Sequence, residues 1–238
     1  IPEDFHVWDY LENSRTPEAY NKIVKGDADI LFVAQPSGGQ KKRAKESGVT
    51  LLYTPFAREA FVFIVNADNP VNSLTEQQVR DIFSGAITNW RAVGGNDQEI
   101  QTWQRPEDSG SQTVMQSQVM KNVRMISPQE TKVANVMEGM IKVVAEYRNT
   151  NNAIGYTFRY YATQMNADKN IKLLAINGIT PTAENIRNGK YAYIVDAFMV
   201  TRENTTSETQ KLVEWFLTPQ GQSLVEDVGY VPLYPTME

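Results

Sequence analysis

Between Arg105 and Ser111 the chain gathers one guanidinium, two hydroxyls and a glycine, in the stretch Trp103-Gln104-Arg105-Pro106-Glu107-Asp108-Ser109-Gly110-Ser111-Gln112-Thr113-Val114-Met115. A β-like run, Ile100 to Trp103, leads into this polar turn. A helical pattern with Met115 and Val119 on its inward face leads out of it. A helix that opens on Ser-Gly-Ser presents unpaired backbone N–H groups and the positive end of the peptide dipoles. Gly110 lets a ligand approach the main chain closely, and Arg105 adds a planar fork suited to a tetrahedral oxyanion. Together these are donors for a small anion. The same residues also permit a plain helix cap at Ser109 or Ser111, with Arg105 paired to Glu107 or Asp108. A similar helix start lies at Asn13-Ser14-Arg15-Thr16-Pro17, where Thr16 is predicted to cap a helix whose first residue is Pro17. A plain N-cap is again the simpler reading of that turn taken alone.

Other chemistry finds little support. Cys is absent and His6 is the single histidine. Disulfides, thiolate metal sites and a cysteine nucleophile are thereby excluded, and a histidine-based triad or zinc site is disfavoured. No G-x-S-x-G, GxxxxGK[ST], H-E-x-x-H or GxGxxG occurs, so no enzyme activity and no cofactor are expected. Gly38-Gly39 and Gly94-Gly95 are isolated pairs that suit turns. Asp27 with Asp29, and Glu107 with Asp108, suit solvated turns better than acid–base pairs. The aromatic group Tyr156-Phe158-Tyr160-Tyr161 is explained by strand packing as well as by a stacking platform. The formal charge of −5 argues against nucleic acid or an anionic membrane as partner. No apolar run approaches the roughly 18 residues of a spanning helix. Ile1 opens no signal peptide, so any export signal or lipid anchor is expected outside this chain.

The elements that must position these residues follow from apolar runs and their punctuation. Ile30 to Ala34, Phe61 to Val65, Ala153 to Tyr156, Ile171 to Ile176 and Tyr193 to Thr201 are candidate strands. Their continuous apolar character is typical of parallel sheets covered by helices. Between them, Ala19, Tyr20, Ile23 and Val24 form one helical face that Gly26 ends. Ser73-Leu74-Thr75-Glu76 has the form of a capping box before Val79, Ile82 and Phe83, with Gly85 as the stop. Val136, Met137, Met140, Ile141, Val144 and Tyr147 repeat at helical spacing, as do Leu212, Val213, Phe216 and Leu217 until Pro219 interrupts. Leu224, Val225 and Val228 form a second short face. Methionines in these stripes are expected in the core. An α/β fold with open sheets flanked by helices results, and such sheets bind ligands at strand carboxyl ends.

Several blocks carry a family resemblance: Phe61 to Asn66, Asn69-Pro70-Val71, Leu74 through Asp81-Ile82-Phe83-Ser84-Gly85-Ala86-Ile87-Thr88-Asn89-Trp90, and Val93-Gly94-Gly95. Arg105 through Ser111, Ala153 to Tyr156, and Gly221-Gln222 to Gly229-Tyr230-Val231-Pro232 follow in order. From about Thr16 onward the chain resembles the phosphate-binding, substrate-delivery component of bacterial ABC phosphate transporters, in the type II periplasmic-binding-protein superfamily. The resemblance implies a two-lobed clamp, with a first lobe of residues 1–66 and 191–238 and a second lobe of 67–190. It implies an extracytoplasmic protein, phosphate or a similar oxyanion as ligand, and ABC permease subunits as partners. Arg105, Ser109, Gly110 and Ser111 fall on the family's Arg-x-x-x-Ser-Gly-Thr loop, with Ser in place of the last Thr. Thr16 falls where the first lobe offers a hydroxyl and helix-start N–H groups. Two departures stand out. The family opens with a strand and a Thr/Gly/Ser turn not found before Asn13, so the first lobe is expected to lack its opening segment. The family's acidic side chain, which accepts the proton of hydrogen phosphate, is replaced at Ala34-Gln35. Gln35 is expected to accept that proton through its amide oxygen, without the charge that repels sulfate. A sensing or adhesion domain of the same fold, with another ligand or none, is the alternative.

Overall fold

A computed structural model describes residues 10–127, 132–135, 137–146, 152–165 and 167–237. In chain order the elements are α1 (Thr16–Lys25), β1 (Ile30–Val33), α2 (Gly38–Glu46), β2 (Leu51–Asn66), β3 (Ser73–Leu74), α3 (Glu76–Ser84) and β4 (Gln101–Thr102). Then come α4 (Gly110–Val114), which runs on as a π-helix over Met115–Met120, α5 (Met137–Glu146), β5 (Ala153–Phe158), β6 (Ile171–Leu173) and β7 (Ala175–Ile176). The chain closes with α6 (Ala183–Arg187), β8 (Ile194–Arg202), α7 (Ser207–Phe216), α8 (Pro219–Asp227) and β9 (Val231–Pro232). No helix among the described residues is long and apolar enough to cross a membrane. His6, Val136 and Tyr147 lie outside the described residues, as does most of the stretch where the family's opening strand was sought.

The apolar run Phe61 to Val65 is the second half of a 16-residue strand. From Leu51 to Ala60, β2 pairs antiparallel with β8, and from Phe61 to Val65 it pairs antiparallel with β5. One strand thus serves two sheets, one per lobe: β1-β8-β2 with β9, and β2-β5-β4 with β6. The register shifts between Pro55 and Ala57, where proline brings no N–H to the ladder. The sheets differ from the parallel arrangement suggested by continuous apolar runs. Every pairing among β1, β2, β5 and β8 is antiparallel, and among the described strands only β4 with β5 and β3 with β7 run parallel. The runs are apolar because both faces are covered: Ala60 through Val65 are each 0% exposed, although alternate side chains point to opposite faces.

Helix boundaries follow local chemistry, with shifts of one or two residues. In α1 the N-cap position is Arg15, Thr16 is the first helical residue, and Gly26 ends the helix in the left-handed region at φ 90°. The α3 capping box is Thr75 with Gln78, not Ser73 with Glu76: Gln78 N–H donates to Thr75 Oγ1 at 3.1 Å and Thr75 N–H to Gln78 Oε1 at 2.8 Å. Ser73 is taken by the short strand pairing with Ala175. Met115 and Met140 are buried, as expected of core methionines. Phe61 packs against Phe63, Tyr156 and Phe158, and Tyr156 against Phe83. Each such ring stabilises the second lobe by roughly 2–3 kcal/mol through burial, and together they fix β5 beneath the Arg105 turn.

Candidate functional site

The turn after β4 is pinned by main-chain bonds on both sides. Trp103 N–H donates to Ile154 O at 2.9 Å, and Gln104 exchanges bonds with Lys132 and Ala134. Arg105 N–H then donates to Tyr156 Oη at 3.1 Å and to Gln112 Oε1 at 3.3 Å, while the Tyr156 hydroxyl donates to the same Gln112 oxygen. These bonds aim the Arg105 side chain inward, where it is 7% exposed. Its Nη1 donates to the Ala134 carbonyl, and its Nε is buried with no hydrogen-bond partner among the described residues. Burial is the main influence lowering its pKa, and the nearby Arg15 charge adds to it. Neither Glu107 nor Asp108 pairs with Arg105. Asp108 pairs with Arg43, and Glu107 accepts from Gln116 at 3.5 Å. A desolvated guanidinium without a carboxylate is costly unless an anion compensates it.

The two serines of the loop divide the roles that either could have taken. Ser109 is the cap of α4, its Oγ accepting from Gln112 N–H at 3.3 Å. Ser111 Oγ is buried with no partner among the described residues, a donor left over after the helix has been satisfied. Gly110 faces the first lobe. A Cβ there would lie 2.9 Å from Ala34 Cβ, 3.2 Å from Thr16 Oγ1 and 3.8 Å from Phe158. The turn before α1, the end of β1 and the start of α4 therefore meet, although they are far apart in sequence. Gln35 sits at the same junction, but its Nε2 donates to Ser117 Oγ at 3.0 Å across the cleft.

The PBP superfamily domain, as a family model, matches residues 6–220. The chain belongs to the PBP superfamily. Among its relatives is the phosphate-binding protein PstS of Bacillus subtilis (strain 168), 28% identical over 170 residues that cover 71% of this chain and 53% of the relative. The chain therefore spans about half the length of that protein. The phosphate-binding protein PstS of Borreliella burgdorferi is 26% identical over 215 residues, covering 89% of this chain and 74% of the relative. Among solved structures, a putative phosphate ABC transporter substrate-binding protein from Clostridium perfringens with bound phosphate superposes with a TM-score of 0.74 at 24% identity. That match covers 91% of this chain and 84% of the other.

Within this PBP superfamily member, sequence reasoning left out the Arg15 charge that acts on Arg105 and the Tyr156–Gln112 pair that fixes Arg105. Arg15 lay in plain view beside Thr16; the Tyr156–Gln112 pair joins β5 to α4, and no spacing announces it. A cavity of about 500 Å³ opens beside the same loop, lined by Arg105, Gln112, Gln116, Met120 and Arg124 but by neither Thr16 nor Ser109 to Ser111. Of the two leftover donors, Arg105 borders this cavity and Ser111 does not. An ion of phosphate size needs many donors but little room, so the donors carry more weight than the volume.

Proposed function

We propose that this chain is an extracytoplasmic solute-binding protein that captures phosphate, or a closely similar tetrahedral oxyanion, between its two lobes for delivery to an ABC importer. The observation that carries the reading is the buried Arg105 guanidinium, with no carboxylate partner among the described residues, on the same loop as the unpartnered Ser111 hydroxyl. In this reading Arg105 neutralises the anion and Ser111 and Thr16 donate hydroxyl bonds. Ser109 holds the helix start, and the Gly110 main chain supplies N–H groups. The lobes comprise residues 1–66 with 191–238, and 67–190. Capture of this kind needs no metal and no bond-making chemistry, and the membrane permease subunits are the partners. The names of the PstS relatives support phosphate as the ligand.

Gln35 replaces a carboxylate with a neutral amide, so sulfate meets hydrogen-bond acceptors but no repelling charge. Calorimetric titration with phosphate, then with phosphate in excess sulfate, tests both parts. One phosphate per chain, with sulfate competing measurably, is the expected result. No heat with either ion would overturn the reading, and phosphate binding blind to a large sulfate excess would overturn the role of Gln35. A ligand-sensing domain of the same fold is the second reading, favoured by that same Gln35. It predicts tight binding of another solute and no adjacent permease and ATPase genes.

A further inference from the structure

The anion loop is tied to the first lobe by a carboxylate of its own. Asp108 has φ 65°, one of three positive values at non-glycine residues among those described, and a left-handed backbone is a strained choice for a residue with a side chain. That conformation sends its carboxylate across the cleft to the start of α2. Ser37 Oγ donates to Asp108 Oδ1 at 2.5 Å, Arg43 Nη2 lies 3.4 Å from Oδ2, and Gln40 Nε2 donates to the Asp108 carbonyl at 3.1 Å. Ser37 is also the α2 cap, accepting from Gln40 N–H at 3.1 Å. Its hydroxyl therefore works in both directions, accepting within the helix and donating to the opposite lobe. Gly39 leaves the space: a Cβ there would lie 3.2 Å from Asp108 Oδ1. The Gln35 to Ser117 bond is a second tie across the same gap.

We propose that Asp108 is the latch of the clamp, a positioning residue that holds the lobes closed and so keeps Ser109 to Ser111 opposite Thr16 before any ligand arrives. The carboxylate meets a helix start, a hydroxyl and a guanidinium, each of which favours a negative charge. None of those first-lobe groups belongs to the proposed oxyanion site, so latch and ligand do not compete. A clamp held closed in advance binds more tightly, because apparent affinity scales with the fraction that is binding-competent. The affinity part of this argument rests on the phosphate reading; the shape of the ligand-free protein does not.

The chain has no cysteine, so one spin-label pair at Lys42→Cys and Arg91→Cys, both exposed positions, reports the distance between lobes. Without ligand, the otherwise unaltered chain should give one narrow short distance. Asp108→Gly, which suits φ 65° and so preserves the turn, should add a longer, broader population and weaken phosphate binding about tenfold, chiefly through faster release. Ser37→Ala should move both readouts the same way, and adding it to Asp108→Gly should change little more. A broad distance distribution before mutation, or unchanged distances in both variants, would overturn the latch. Should Asp108→Gly fail to fold, Ser37→Ala alone decides on the same two readouts. Lengthened distances in a protein that takes up no phosphate would leave the latch standing and remove the phosphate reading.

Discussion

Arg105 and Arg15 stand on opposite sides of one cleft, and their surroundings differ in kind. Arg105 is 7% exposed, held by Ala134 and by the Tyr156–Gln112 pair beneath its main chain. The Arg15 side chain is 60% exposed and paired with Glu18 on its own helix, with Nε to Oε1 at 3.0 Å. The second-lobe half is therefore built in advance, with its desolvation already incurred during folding. The first-lobe half is made of more solvated parts, and its guanidinium already has a carboxylate partner. A surface pair such as Arg15 with Glu18 contributes little to stability, so it can rearrange; a buried guanidinium cannot. The contrast predicts that the buried second-lobe donors contribute more to affinity than the solvated first-lobe donors.

Arg105→Ala offers the strongest way to break this contrast. It should weaken phosphate binding by at least about 100-fold, since truncating one partner of a buried charged contact costs about 2–5 kcal/mol. Titration calorimetry reads this directly, and affinity within tenfold of the parent would mean that the anion sits elsewhere. Gly110→Ala comes next. Its methyl would press on Ala34 and Thr16 while suiting the helix, so folding should persist and affinity should fall about tenfold through impaired closure. Ser111→Ala and Thr16→Ala then set the halves against each other. The buried Ser111 hydroxyl should be worth about 1 kcal/mol, or roughly fivefold, and the half-buried Thr16 hydroxyl about half that energy. Equal or reversed losses would erase the distinction between a buried and a solvated half.

The smallest effect on binding is expected between the halves, at Glu59 on β2. This carboxyl accepts from Ala60 N–H at 2.7 Å and from Tyr160 N–H at 2.9 Å, and burial pushes its pKa up to about 7 from an ordinary 4.5. Ala60 is the last β2 residue paired with β8, and Tyr160 follows β5, so Glu59 links the two sheets where they part. The folded value lies above the unfolded one. The stability Glu59 confers is therefore complete below about pH 4.5 and is lost as pH rises through about 7. Across that window the loss is at most about 3 kcal/mol. Glu59→Gln should flatten the fall in Tm between pH 5 and 7 and leave phosphate affinity unchanged. Parallel melting curves for the two proteins would show that this carboxyl titrates as if in water.

What could be read from the sequence was what rests on neighbours along the chain. Gly26 and Gly85 end their helices as expected because left-handed closure needs only local residues. The Ser109 turn opens a helix because a serine before a polar first turn satisfies its N–H groups wherever it is placed. Strand direction was misread because burial on both faces makes an antiparallel strand look like a parallel one. The capping box of α3 slipped by two residues because Ser73 is claimed by Ala175, about a hundred residues away. Of the candidate site, Arg105 and the serines could be named from the sequence. The link from Asp108 to Ser37 was not, since an aspartate in a left-handed turn carries no glycine to announce it and its partner is 71 positions upstream.

The place of β8 in the first sheet also dictates an order of events as the chain is made. β8 lies between β1 and β2, so Ile30–Val33 and Leu51–Ala60 share no ladder until residues 194–202 have emerged. By then every strand of the second sheet, up to Leu173, is already available. The lobe that starts first must be finished last, and until then its edges wait unpaired, a window in which aggregation or a chaperone competes with the arrival of β8.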